Sequence, residues 1–219
     1  MSKRFKGLIC AYCARETAIT GDHIFAREFL PESRRDNLPQ APICAGCNNN
    51  KSKLEHYLTA VLPFGGKHPD AAINLASMVP KRLQKNLKLH RHPVESYTGY
   101  TIPIEVEKLQ QLFSLITLGL AWYHWKIYIN HETHRVRSLT VNPSGTQALD
   151  AFIFRRNVRS RVNEDIGKGA FNYEGIQATD DPALTFLAIL SLWGIGRGNG
   201  RFIGAVGVSV RDIHMPNRA

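Results

Sequence analysis

Long apolar runs are missing from this sequence. No stretch reaches the roughly 18 uninterrupted apolar residues that a spanning helix requires. The opening MSKRFKGLICAYC is basic but has no long apolar core, so no signal peptide is expected and a cytoplasmic setting is. Acidic residues are scarce: 18 Asp and Glu stand against 28 Lys and Arg, for a formal charge of +10. None falls between positions 71 and 94, and none between 151 and 163. That balance disfavours acidic partners and favours polyanions. The composition is not that of collagen, a coiled coil or a low-complexity chain. No internal repeat, Walker A motif or G-x-S-x-G elbow occurs. The glycine-rich GIGRGNG at 194–200 has the wrong spacing for a dinucleotide loop and reads as a hairpin connection.

What is present is enough for a packed core. Of 219 residues, 43% are hydrophobic and 21% charged, as in one globular domain or two small ones. There are four cysteines. They form two C-x-x-C pairs, Cys10 with Cys13 and Cys44 with Cys47, both in the first quarter of the chain. Disulfides suit a small exported domain, which this chain does not resemble. Four thiolates around structural Zn²⁺ suit it better, because each C-x-x-C turn places two sulfurs on one side of a tight knuckle. A redox dithiol is the remaining alternative. The gap between the pairs is wider than the usual zinc spacing, so the metal would clamp a long inserted segment.

That segment holds Thr20-Gly21-Asp22-His23-Ile24-Phe25, then Asp36-Asn37-Leu38-Pro39, and runs into Cys44-Ala45-Gly46-Cys47-Asn48-Asn49-Asn50-Lys51. The order C-x-x-C, D-H-I, N-L, C-x-x-C-N-x-x-K resembles the HNH endonucleases, which carry a ββα-metal unit. The resemblance spans residues 8 to 55, about a quarter of the chain, with all four blocks in register. It implies His23 as general base, with Asp22 and Asn48 as ligands of a catalytic Mg²⁺ or Mn²⁺. It implies Asn37 as the middle residue, holding the hairpin and orienting the histidine. Lys51 would open the metal-side helix near the incoming phosphate. Many members of the family carry histidine where Asn48 stands, and the glycine pair common between the D-H and N-L blocks is absent. Arg27, Arg34 and Arg35 occupy that connection and are candidate phosphate contacts.

The chemistry has its own logic. Phosphodiester hydrolysis needs an activated water, a cation on the non-bridging oxygen and help for the leaving oxygen. Histidine is the natural base near neutral pH, and Asp and Asn offer the hard oxygens that Mg²⁺ prefers. Neighbouring residues on a strand point to opposite faces, so Asp22 and His23 diverge unless the ribbon twists. Each residue also has a structural alternative: a turn for Asp22, a satisfied core histidine for His23, an Asx turn for Asn37 and a helix N-cap for Asn48.

Beyond the cysteines, helices are expected at 49–62, 70–79 and 103–129, the last apolar nearly all round and therefore buried. The basic stretch 81–92 reads as a phosphate track, with Lys81, Arg82, Lys85 and Lys88 as contacts. Strands are expected at 135–141, 150–155, 171–178, 184–193 and 202–210. Arg155, Arg156, Arg159 and Arg161 form a second basic cluster, and His131 with His134 reads as a loop pair. The expected fold class is α+β: an N-terminal zinc-stabilised ββα-metal (HNH) unit at 1–62, a basic helical linker at 63–100 and a mainly antiparallel β-sheet accessory domain at 101–219. The expected function is metal-dependent hydrolysis of DNA, with the duplex favoured as partner and no membrane; a dimer is compatible. Two rivals stand beside it. One is a zinc-stabilised nucleic-acid-binding protein without catalysis; the other is a secreted nuclease toxin, which the missing export signal disfavours.

Overall fold

The computed structural model describes residues 3–85, 94–96, 99–101, 105–129, 134–141, 158–179, 185–192 and 202–209. The first quarter builds one small motif. Strand β1 (Thr20–His23) pairs antiparallel with β2 (Gln40–Ile43), placing His23 opposite Gln40 and Asp22 opposite Ala41. Helix α1 (Ala45–Val61) follows at once. It starts before the expected residue 49 because the second cysteine pair is itself the first helical turn. Cys44 is the N-cap, and its sulfur accepts the Cys47 N–H at 3.5 Å. The helix gives way to a short 3₁₀ turn containing Pro63, which cannot supply the next backbone donor.

The next segment is only partly the helical linker that the sequence suggested. Helix α2 (Pro69–Ser77) begins with proline at its first position, and the His68 ring caps it by accepting the Asp70 N–H at 3.2 Å. Helix α3 is short (Val79–Lys85). A hairpin then pairs β3 (Val94–Ser96) with β4 (Gly99–Thr101). Pro93 and Gly99 disfavour helix on either side of it, and Val94, Tyr100 and Thr101 favour strand.

Helix α4 (Val106–Trp125) is the long buried helix, ending where Lys126 takes a left-handed backbone at φ +55°. Leu109, Leu112, Phe113, Ile116 and Leu120 follow its inner face at helical spacing and are buried. Strands β5 (His134–Val141), β6 (Val158–Ile166), β7 (Phe171–Ala178), β8 (Thr185–Leu192) and β9 (Phe202–Ser209) form one sheet in the order β5-β9-β8-β7-β6. Every neighbouring pair is antiparallel. Four strands fall where expected, and the strand expected at 150–155 lies outside the described residues, as does the glycine-rich connection. Strand β6 was not anticipated. Its sequence, VRSRVNEDI, is dense in charge and lies at a sheet edge, where charge discourages further pairing.

Among the described residues one hydrophobic cluster joins the N-terminal unit, α1, α4 and the start of β7, crossing the boundaries expected at 62 and 100. Phe25, just beyond β1, packs on Phe171 and Tyr173 of β7 with ring centroids 5.1 and 5.8 Å away. Two glycines permit the closest approaches. A Cβ on Gly21 would lie 2.3 Å from the Phe5 ring, and one on Gly119 would lie 3.0 Å from Ile24 and 3.1 Å from the Tyr12 hydroxyl. Glycine within a helix costs about 1 kcal/mol relative to alanine; at Gly119 it lets α4 seat directly against the hairpin unit. Among the described residues no helix is long and apolar enough to cross a membrane.

Candidate functional site

The four cysteines converge. One sulfur from each of Cys10, Cys13, Cys44 and Cys47 lies within 4.8 Å of all the others. Cys13 and Cys44 are 3.9 Å apart at sulfur, and all four are free thiols. A disulfide requires about 2.05 Å. Thiolates at the corners of a tetrahedron with zinc–sulfur distances near 2.3 Å stand about 3.8 Å apart. The cluster can therefore hold a metal ion such as zinc. Backbone amides support the charge: Glu16 N–H reaches Cys13 Sγ and Cys47 N–H reaches Cys44 Sγ, each at 3.5 Å. Without an ion the cluster is a poor home for thiolates. Burial pushes Cys44 up to about 12, and burial with the neighbouring sulfurs pushes Cys47 higher still. At Cys13 burial acts in the same direction, but the Glu16 and Arg15 amides outweigh it and the thiol falls below its ordinary value. A dication relieves this by displacing the protons.

The cysteine knuckles frame the hairpin, and β1 divides its two polar residues between two surroundings. Asp22 faces inward. Tyr12, from the first knuckle, donates its hydroxyl to Asp22 Oδ2 at 2.5 Å, and Lys51 Nζ lies 3.0 Å from the same oxygen. Lys51 is only 1% exposed. It also donates to the His23 carbonyl at 2.8 Å and pairs with Glu55, one turn along α1. Burial pushes the Glu55 carboxyl up to about 7, although Lys51 opposes the shift. Burial and Asp22 hold the Tyr12 phenol protonated, far above its ordinary range.

His23 faces a cavity of about 440 Å³ lined by Arg4, Phe5, Asn37, Leu38, Gln40, Trp122, Tyr123 and Lys126. The Gln40 amide nitrogen lies 3.2 Å from His23 Nε2 and 3.3 Å from Nδ1. Burial, then the charge of Arg27, holds the imidazole below its ordinary pKa, so the neutral base dominates at pH 7. Asn37 joins this wall from the turn before β2, with a left-handed φ of +57° that asparagine tolerates.

The other sequence candidates scatter. Asn48 is half-buried on the first turn of α1, one turn before Lys51, and its backbone N–H donates to Cys44 O at 3.0 Å. Lys51 is no surface phosphate contact; it is enclosed by two carboxylates. Arg34 donates to Asp70 at 3.0 Å and to Gly167 O at 2.8 Å, and Arg35 to Leu30 O at 2.9 Å and Met78 sulfur at 3.3 Å. Both arginines are half-buried, Arg34 tying the connecting loop to α2 and to Gly167, and Arg35 bonding within the loop and to Met78. Arg82 is likewise turned inward, toward the Thr59 hydroxyl on α1. Arg27, Lys81 and Lys85 are exposed. Lys88, and the side chains of Arg155, Arg156, Arg159, His131 and His134, lie outside the described residues.

Tyr12, Gln40, Glu55, Arg4 and Lys126 escaped the sequence reading. Glu55 was legible as the i+4 partner of Lys51. Gln40 follows only once the hairpin register is known, and Arg4 with Lys126 only from the packing of α4 on the N-terminal unit. No model of a known protein family matches the chain, and neither a curated protein nor a solved structure matches it.

Proposed function

We propose that the chain is a metal-dependent HNH-type endonuclease that hydrolyses DNA phosphodiester bonds, with structural zinc on its four cysteines. The observation that carries this reading is the antiparallel β1–β2 hairpin followed directly by α1, pinned by the cysteine cluster, with Asp22 and His23 adjacent on β1. His23 is the general base: it is half-buried, neutral and open to a cavity. Gln40 and the Asn37 turn hold the ring against that cavity, and Lys51 fixes the backbone of residue 23 through its carbonyl.

Asp22 and Asn48 carry the hard oxygens that would hold a Mg²⁺ or Mn²⁺ ion keeping most of its waters, and Asp22 Oδ2 is already engaged by Tyr12 and Lys51. Asp22 and Asn48 do not fit a second zinc, since among the described residues only the cysteines form a group of three or more His, Cys, Asp or Glu ligands. When bound, Mg²⁺ or Mn²⁺ would stabilise charge on the phosphate and leaving oxygen. The ammonium of Lys51 already neutralises Asp22, so the protein alone binds that ion weakly and substrate phosphate completes the site.

The test is supercoiled plasmid with zinc-loaded protein, with and without added Mg²⁺ or Mn²⁺. Omitting the ion is preferable to chelation, which would also strip the cysteines. Nicking that depends on the added ion supports the enzyme. Retardation of the plasmid without nicking under either condition identifies the non-catalytic DNA-binding alternative.

A further inference from the structure

The cavity beside His23 contains a feature that general-base chemistry does not require. Arg4 and Lys126 both line it, and among the described residues no Asp or Glu does; the other described lining residues are His23, Asn37, Gln40 and apolar or aromatic side chains. Two like charges brought to one concavity repel unless an anion joins them. Arg4 is close enough to act on Lys126, which burial and that neighbour together hold below the usual lysine value.

Neither cation is loosely placed. Lys126 follows α4 in a left-handed backbone, its ammonium donates to Tyr123 O at 2.8 Å, and it rests 4.2 Å from the Trp122 ring centroid and 5.6 Å from that of Tyr123. The Arg4 guanidinium sits 5.3 Å from the Phe5 ring, and Phe5 in turn contacts Trp122 edge-on. Cation–π contacts of this kind fix a charge without neutralising it.

A second cavity of about 270 Å³ shares Asn37, Leu38 and Tyr123 with the first, but Asp36, Glu164 and Asp165 line it. Among the described residues its one cation is Arg34, which Asp70 already answers. The two cavities adjoin at Asn37, Leu38 and Tyr123, one with cations in its wall and the other with carboxylates.

We propose that Arg4 and Lys126 form a two-pronged clamp for a DNA phosphate next to the one hydrolysed by the water that His23 activates, and that the acidic cavity turns the strand away beyond Tyr123. The clamp rests on the nuclease reading for its substrate, but its test does not depend on cleavage. The probe is a short fluorescein-labelled DNA duplex, titrated at several salt concentrations onto His23→Ala protein. The double neutralisation, Arg4→Gln with Lys126→Gln, lowers the log–log salt slope by about 0.9, the share of one phosphate, and each single neutralisation lowers it by part of that. Affinity at low salt falls at least tenfold for the pair, while the charge-conserving Arg4→Lys/Lys126→Arg protein keeps the slope. Glu164→Gln with Asp36→Asn strengthens binding several-fold. In protein retaining His23, the double neutralisation raises the DNA concentration for half-maximal cleavage more than it lowers the maximal rate.

An unchanged slope in Arg4→Gln/Lys126→Gln protein, with its thermal midpoint intact, overturns the clamp. Should the double variant unfold, each single variant is read on its own, and an unchanged slope in both overturns it equally. Absence of cleavage in wild type combined with the predicted slopes would remove the nuclease and leave the clamp.

Discussion

The two faces of β1 are built on opposite electrostatic plans. On one face Tyr12, Asp22, Lys51 and Glu55 form a closed network in which the ammonium meets two carboxylates and every group is at least largely buried. On the other, His23, Arg4 and Lys126 line an open cavity that has no carboxylate in its wall among the described residues. Buried charges hold their places because removing one partner strands the other. Open, uncompensated charges leave room for something to be bound. One strand thus carries a fixed reference point and a receptive surface, one residue apart, and the cysteine cluster keeps them in register.

The largest effect that would break this comparison is loss of the four-cysteine cluster, which could hold a metal ion such as zinc. Cys44→Ser, or prolonged chelation, should cost on the order of 10 kcal/mol of folding free energy. Circular dichroism should show the N-terminal unit unfolding, with the core of α4 disturbed because Ile24 and Tyr12 press on Gly119. Next comes the closed face. Lys51→Met leaves Asp22 and Glu55 buried without their cation and should destabilise by about 3–5 kcal/mol, measured by urea denaturation. The triple change Lys51→Met, Asp22→Asn, Glu55→Gln should recover much of that loss.

A smaller effect sharpens the contrast through pH. His124, on α4, accepts or donates to the Tyr173 hydroxyl at 3.0 Å, and burial followed by Lys126 lowers its pKa to about 4. The folded state therefore binds its proton less readily than the unfolded chain. This stability is complete above about pH 6.5, the unfolded value, and is lost as pH falls toward 4. The contribution is about 2 kcal/mol after allowing for partial exposure of the ring. Denaturation of wild type and His124→Gln at pH 7 and 4.5 should show the wild type losing more stability on acidification. The smallest expected effect is on the open face: His23→Ala should change stability by less than about 1 kcal/mol, because a cavity wall has little packing to lose.

The sequence made the parts with local signatures legible. The C-x-x-C pairs, the long apolar stretch of α4, and the strand-like runs of β5, β7, β8 and β9 (the last two strongly apolar) all follow from short-range patterns. Strand β6 hid because an edge strand can be polar on both faces. The β3–β4 hairpin hid in a stretch whose basic residues suggested a helical linker. At the site, charge alone could not separate arginines facing solvent from those facing protein: Arg34, Arg35 and Arg82 are all turned inward, while Arg4, which drew no notice, lines the cavity. That distinction depends on tertiary packing between distant segments and has no trace in local composition.

Whether the imidazole of residue 23 performs chemistry or only packs is decided by single-turnover cleavage of a labelled DNA duplex in Mg²⁺ or Mn²⁺, comparing wild type with His23→Ala at matched zinc content and thermal midpoint. A catalytic imidazole gives a rate at least about a hundredfold lower for the variant, with duplex affinity retained. Equal rates in the two proteins, or no cleavage by wild type with either ion, would rule the catalytic role out.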